Sequence, residues 1–252
     1  MDMISAYNTL AALPTFSIVD VEHLIKNRDS AYTLLSRLLE KGLVRKIRTQ
    51  LYSAVNQITN KVSASNYQIA CAASDSAYIS HHTAFEYHGI ARLILGDVYV
   101  SSDTRIQHFE FEGIRYRHVP FKFEDGVITA NGIVGVRVTD LERTLIDGIH
   151  SFVRVGGLEE LIRCIGNIPC LDEQKLMVYL NSYNLQMLYQ KTGFLLERCC
   201  HNLMLSNAFF DFCRDRIGKS KRYLSVTRSL CTYIGDWGLM VPEHLLNYER
   251  ND

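Results

Sequence analysis

Residues 16–53, FSIVDVEHLIKNRDSAYTLLSRLLEKGLVRKIRTQLYS, carry the pattern of a winged helix-turn-helix. Ser17 and Asp20 have the spacing of a capping box, in which two side chains satisfy backbone N–H groups that a first helical turn leaves open. Val21, Leu24 and Ile25 then mark one helical face. Asn27-Arg28-Asp29 is a short polar break that suits a turn between two crossed helices. From Ser30 to Lys41 the apolar positions Ala31, Leu34, Leu35, Leu38 and Leu39 follow the i, i+3, i+4, i+7, i+8 spacing of a buried helical stripe. Gly42 closes that helix where a left-handed backbone is usually needed. Leu43 to Arg48 and Leu51 to Ser53 read as two short strands around Thr49-Gln50, the outline of a basic wing.

Burying the leucine stripe puts Thr33, Ser36, Arg37 and Glu40 on the opposite face, with Ser30 and Lys41 beside it. In a helix-turn-helix that face of the second helix enters the major groove of DNA. Arg37 is best placed for a guanine edge, because its fork meets two acceptors at once. The candidate DNA contacts are Arg28, Ser30, Thr33, Ser36, Arg37 and Lys41 from the helical pair, and Arg45, Lys46 and Arg48 from the wing. The same pattern also fits a small helical hairpin whose polar face is simply solvated.

Charge is distributed to match. The 252-residue chain has a formal net charge of zero, so no global field draws it to a polyanion. Between Asp29 and Lys61, however, six basic residues face two acidic ones, a local +4 that leaves −4 on the rest. That suits a protein reading a particular operator better than one coating nucleic acid of any sequence. Hydrophobic content of 47% indicates a globular protein, and no run of about 18 apolar residues suggests a membrane span. The amino terminus lacks the basic and apolar regions of a signal peptide, and seven cysteines at irregular spacing read as reduced thiols. A cytoplasmic location is expected.

The expected fold class is mixed α/β. A winged helix-turn-helix domain, residues 1–60 with an apolar helix from Ile4 to Leu13 in front, precedes a polar boundary between Val55 and Ser65. A larger mixed α/β domain, residues 61–252, follows, with a small sheet and a mainly helical C-terminal half. Strands are expected at 97–101, 107–111, 114–119 and 134–138, with a tight hairpin at Glu112-Gly113. Helices are expected at 66–73, 81–88, 158–165, 172–182, 185–202 and 207–216, and a final strand at 222–227 is expected to return to the sheet. Thr139-Asp140-Leu141-Glu142 has the form of a capping box opening a helix through His150.

Three clusters in the larger domain admit a chemical or a structural reading. Ser80 is a natural N-cap before His81-His82-Thr83-Ala84-Phe85-Glu86, where His82 and Glu86 lie one turn apart. The two histidines and Glu86 offer metal or acid–base chemistry, but the spacing is not His-Glu-x-x-His and no third ligand is evident. Capping, with Ala84, Phe85 and Tyr87 packed on the sheet, accounts for the same residues. Asp140, Glu142 and Asp147 could bind Mg²⁺ in a nuclease, but Phe121-Lys122-Phe123-Glu124 reverses the expected Glu-x-Lys. Capping by Glu142 and an Arg143–Asp147 pair is the structural alternative. Cys199-Cys200-His201 suggests thiol or zinc chemistry, although adjacent helical residues point about 100° apart. Gly218-Lys219-Ser220-Lys221-Arg222 offers phosphate contacts or a solvated turn. Val155-Gly156-Gly157-Leu158 is too short for a phosphate loop. No catalytic residue, cofactor or metal ligand is assigned.

Three blocks resemble one family: the LLEKGLVRKIRTQLYS ending of the winged helix, AYISHHTAFEYHGI at 77–90 and VTDLERTLIDGI at 138–149, with KTGFLLE at 191–197 in weaker support. Their order along the chain is similar to that of the AbiEi-type antitoxins, transcriptional regulators of bacterial and archaeal type IV toxin–antitoxin (abortive-infection) operons. The chain departs from that family where a glycine usually precedes the tyrosine strand of the wing: here the turn reads Arg48-Thr49-Gln50-Leu51-Tyr52. The resemblance implies a non-enzymatic regulator that represses its own promoter on double-stranded DNA and counters a nucleotidyltransferase-type toxin. The alternative is a metal-dependent, nuclease-like enzyme that uses its winged helix to find substrate.

Overall fold

The computed structural model describes residues 2–199, 203–225 and 230–246. Each N-terminal helix begins where a side chain supplies an acceptor for its open N–H groups. Asp2 caps α1 (Met3–Ala11) through the Ser5 N–H at 2.9 Å. Ser17 and Asp20 form the full capping box of α2 (Ile18–Ile25). Asn27 Oδ1 accepts from the Ser30 N–H at 2.9 Å and opens α3 (Arg28–Glu40). Helix α3 therefore starts at Arg28, two residues before the expected Ser30, because Asn27 is the cap. The turn shrinks to Lys26 and Asn27, and Lys26 takes it up with a left-handed φ of 59°. At the other end the Leu43 N–H reaches the Leu38 carbonyl and the Gly42 N–H reaches Leu39, both at 3.0 Å. This is a Schellman ending, and Gly42 at φ 65° supplies its left-handed residue.

The wing follows as β1 (Val44–Arg48) and β2 (Leu51–Asn56), antiparallel, with β3 (Lys61–Val62) on the far side of β2. The register slips between Lys46 and Arg48, so Ile47 forms a bulge. Phe16 pairs with Tyr52 through two backbone hydrogen bonds of 2.9 and 2.8 Å, which fastens the segment before α2 to the wing. Leu10, Phe16, Val21, Ala31, Leu35, Leu38 and Val44 close a core of their own, with Leu34 and Leu39 at its margin.

Two compact units divide the chain: Met1–Ile79 with Gly96–Lys122 and Ile128–Val138, and Ser80–Leu95 with Phe123–Val127 and Thr139–Asp252. The winged-helix segment thus falls in the same unit as most of the larger sheet. After β3 come α4 (Asn66–Cys71) and β4 (Tyr78–Ile79). The chain leaves for α5 (His81–Tyr87) and returns as β5 (Asp97–Ser102), β6 (Phe109–Phe111), β7 (Ile114–Pro120), β8 (Val127–Thr129) and β9 (Arg137–Thr139). The six strands are ordered β6-β7-β5-β4-β9-β8, with β5 parallel to β7 and α4 packed on β4 and β5. Glu112 and Gly113 both take positive φ, 49° and 79°, and make the expected tight hairpin between β6 and β7.

The second unit is mainly helical: α6 (Leu141–His150), a 3-10 turn at Phe152–Val155, α7 (Leu158–Asn167), α8 (Glu173–Tyr183), α9 (Gln186–Cys199) and α10 (Asn207–Arg214). It ends in β10 (Arg222–Tyr223), β11 (Cys231–Ile234), β12 (Leu239–Pro242) and α11 (Glu243–Leu246). The last expected strand does not rejoin the six-stranded sheet. Arg222 and Tyr223 pair in parallel with Leu239 and Met240 in a separate three-stranded sheet, and Val226 and Thr227 lie outside the described residues. Phe85 belongs to the helical core with Leu145, Leu161, Leu180, Leu196 and Trp237, rather than packing on the sheet as expected. No helix among the described residues is long and apolar enough to cross a membrane.

Candidate nucleic-acid interface

Helix α3 presents one uninterrupted exposed row. Ser30, Thr33, Arg37 and Lys41 follow one another at spacings of three, four and four residues, so they lie along a single side of the helix. All four are exposed, as are Arg28, Ser36 and Glu40. Ala31, Leu35 and Leu38 are buried behind them, which fixes the row's direction. Among the described residues Arg37 and Lys41 make no ion pair, so both cations remain available to a phosphate or a base. Thr33 is partly committed: its hydroxyl donates to the Asp29 carbonyl at 2.9 Å. Arg28 stands apart from the row, 3.8 Å from Glu22 and 5.9 Å from the centre of the Tyr32 ring. Tyr32, 46% exposed, is not among the sequence candidates. Its only signal in the sequence is an aromatic residue off the leucine stripe.

The wing is less uniform than its sequence. Val44 and Ile47 are buried and Lys46 is exposed to solvent. Arg45 is ion-paired to Glu112 and donates to the carbonyl and side-chain oxygens of Asn60 at 3.0 and 2.9 Å. Arg48 lies over the Phe109 ring, 5.1 Å from its centre. Two of the three wing candidates are therefore held against the β6–β7 hairpin and the Asn60 turn. At the tip Gln50 takes φ 61°, a conformation that a glycine adopts without strain.

The clusters of the second unit are held by internal partners. Asp140, not Thr139, caps α6: its Oδ1 accepts from the Arg143 N–H at 2.8 Å, while Oδ2 accepts from Tyr179 at 2.7 Å and Lys175 at 3.2 Å. The expected Thr139–Glu142 box does not form. Thr139 instead bonds the Thr144 hydroxyl at 2.7 Å, and Glu142 accepts from the Asp172 N–H at 2.9 Å. Burial, then the Asp140 hydrogen bond, pushes the Tyr179 hydroxyl well above the usual phenol range. The Arg143–Asp147 pair does form, at 2.8 Å with both side chains buried. The guanidinium also donates to the carbonyls of Phe123 and Asp125 and stacks 3.6 Å from the Phe123 ring centre.

Ser80 is at the N-cap of α5 but gives it no side-chain cap; its hydroxyl bonds His81 Nδ1 at 2.9 Å. His82 Nε2 lies 2.8 Å from the Leu93 carbonyl and 3.4 Å from Glu86. Among the described residues no group of three or more His, Cys, Asp or Glu side chains is arranged to hold a metal ion. Cys200 and His201 of the Cys-Cys-His cluster lie outside the described residues. Lys219, Ser220, Lys221 and Arg222 are exposed, and Lys221 sits 4.6 Å from the centre of the Tyr233 ring.

No family model matches the sequence, and no curated protein matches it. The fold is similar to that of the RV2827C protein from Mycobacterium tuberculosis, known from its crystal structure. The likeness covers 93% of this chain and 89% of that one, with a TM-score of 0.63 at 11% identity. At that identity the likeness is one of fold.

Proposed function

We propose that this protein is a DNA-binding transcriptional regulator that reads its own operator with α3, and that it acts as the antitoxin of a type IV toxin–antitoxin operon. The observation that carries the first half is the exposed row Ser30-Thr33-Arg37-Lys41, free of ion pairs among the described residues and set on a capped, stripe-buried helix of a winged frame. Such a helix enters the major groove, where Arg37 meets base edges and Lys41 the backbone. The second half, countering a nucleotidyltransferase-type toxin, rests on the resemblance of the four sequence blocks to the AbiEi-type antitoxins. The nuclease alternative has less support, because Asp140, Glu142 and Asp147 already hold a tyrosine, a lysine, a backbone amide and an arginine. Footprinting the full-length protein on the DNA upstream of its own gene tests the reading. A protected site that competes out with its own sequence and not with random duplex supports it; uniform protection at every sequence overturns it.

A further inference from the structure

We infer that Lys191 anchors an anion-binding pocket in the second compact unit, one that takes a small molecule bearing a carboxylate or phosphate group on an apolar body. Lys191 projects from the middle of α9 and is only 6% exposed. Among the described residues it has no ion pair and no hydrogen bond; its ammonium lies 5.0 Å from the centre of the Phe152 ring. It lines a cavity of about 310 Å³ together with the apolar Phe152, Val153 and Met187 and with His150, Ser151, Tyr223 and Ser225.

Lysine stems often lie along apolar surface while the charged head reaches water. Lys191 does not follow that pattern, because the whole residue is withdrawn from the surface. A buried ammonium is ordinarily paired, or it loses its proton. Burial pushes this amine below the usual lysine range, with no carboxylate among the described residues to oppose the shift. An anion entering the cavity would supply the missing counter-charge, and the Phe152 and Met187 side chains would receive its apolar part. The volume is at the small end of ligand pockets, which limits the occupant to a small molecule. The site includes no residue of the DNA-reading row, and its test requires no DNA, so the two readings stand or fall separately.

The test is calorimetric titration of the full-length protein with phenylacetate, phenyl phosphate and, as a neutral isostere of the first, phenylacetamide. One of the two anions should bind saturably at one per chain, and which one does so separates the carboxylate from the phosphate. Lys191→Met, which keeps the stem's bulk, should weaken that binding by at least about tenfold. A methyl NMR titration of the wild-type protein, with Met187 assigned by M187L, should show the Met187 signal shifting with the same saturation curve. That second measurement holds even if Lys191→Met does not fold. Absence of saturable anion binding, equal binding of phenylacetamide, undiminished binding by Lys191→Met, or a Met187 signal that ignores the bound anion would each overturn the assignment.

Discussion

Arg45 of the wing and Glu112 of the β6–β7 turn form an ion pair across 67 residues of sequence. With Arg48 stacked on Phe109, it fastens the wing to the hairpin of the same unit. Lys46, between them, is the wing candidate that projects freely to solvent. The three cations are therefore not equivalent, and their substitutions should separate. Lys46→Ala should weaken binding to every duplex alike and reduce the salt slope by about one unit, as loss of one phosphate contact does. Arg45→Ala should leave that slope unchanged and cost about 0–1 kcal/mol of stability, because both partners are more than a third exposed. Urea unfolding and binding isotherms at several salt concentrations measure both quantities. An equal slope change from Arg45→Ala would show that Arg45 leaves Glu112 for the DNA.

Arg37 makes the sharper claim about base reading. It stands in the exposed row of α3 with the Leu35 and Leu38 core behind it. Arg37→Ala should cost roughly 1–3 kcal/mol at the footprinted site. Unfolding free energy should change by no more than about 0.5 kcal/mol, as for other exposed positions. Mutant and wild type binding that site equally at matched salt would remove Arg37 from the interface.

The winged helix is legible in the sequence because its determinants are local. The Ser17 box, the leucine stripe and Gly42 each act within one or two helical turns, and each appears in the structure. The start of α3 differs from expectation because Asn27 and Ser30 are both competent caps, and only the backbone decides between them. The same ambiguity moves the cap of α6 from Thr139 to Asp140. Long-range partners leave no local trace. Nothing near Arg45 announces Glu112, nothing near Asp140 announces Tyr179, and the isolation of Lys191 exists only once α9 is packed. The final strand joins a different sheet from the expected one because strand character says nothing about which neighbour a strand will find.

Gly193 explains part of the KTGFLLE block in packing terms. A Cβ there would fall inside the Trp237 ring system, and Trp237 is buried with its indole N–H donating to Glu197 at 2.6 Å. In an open helix Gly→Ala gains up to about 1 kcal/mol. Here overpacking outweighs that gain, and Gly193→Ala should lose on the order of 2–4 kcal/mol. Urea midpoints measure it. A stabilised variant would mean that Trp237 can leave its site at little cost.

His81 should give the protein an acid-sensitive fold. Burial pushes its imidazole down to about 4, with Arg154, His150 and Arg143 adding to the shift and Asp147 opposing it. The folded value lies below the unfolded value near 6.5, so the unfolded chain binds the proton first as pH falls. Stability from this residue is complete above about pH 6.5 and is lost as pH falls toward about 4, by on the order of 3 kcal/mol. His81 holds φ 53°, a conformation asparagine tolerates, so His81→Asn should keep the backbone and flatten this part of the profile. Denaturant titrations at several pH values compare the two. Parallel curves for wild type and variant would place the acid sensitivity elsewhere.

The reach of the winged-helix segment can be tested with two fragments. A fragment ending at Asn60 contains the α1–α3 core and the β1–β2 hairpin, but it omits β3. In the intact chain Val55 pairs with Val62 and Asn56 with Lys61, the Ser63 N–H reaches the Ala54 carbonyl at 2.9 Å, and the Ala64 N–H reaches Ser53 Oγ at 3.3 Å. Those contacts cover one edge of β2. Extending the fragment to Ser65 restores them and should raise stability by about 1–3 kcal/mol, at roughly 1 kcal/mol net for each hydrogen bond regained. Both fragments lose Glu112 and Phe109, so Arg48 is released and Arg45 keeps only its bonds to Asn60, and both arginines can turn to phosphates. Relative to the full chain, each fragment should keep its preference for the footprinted site and show a steeper salt slope. Circular dichroism melts and binding isotherms of the two fragments and the intact protein decide the matter. If the fragment ending at Ser65 folds but its salt slope matches that of the full chain, the hairpin does not withhold those arginines from DNA.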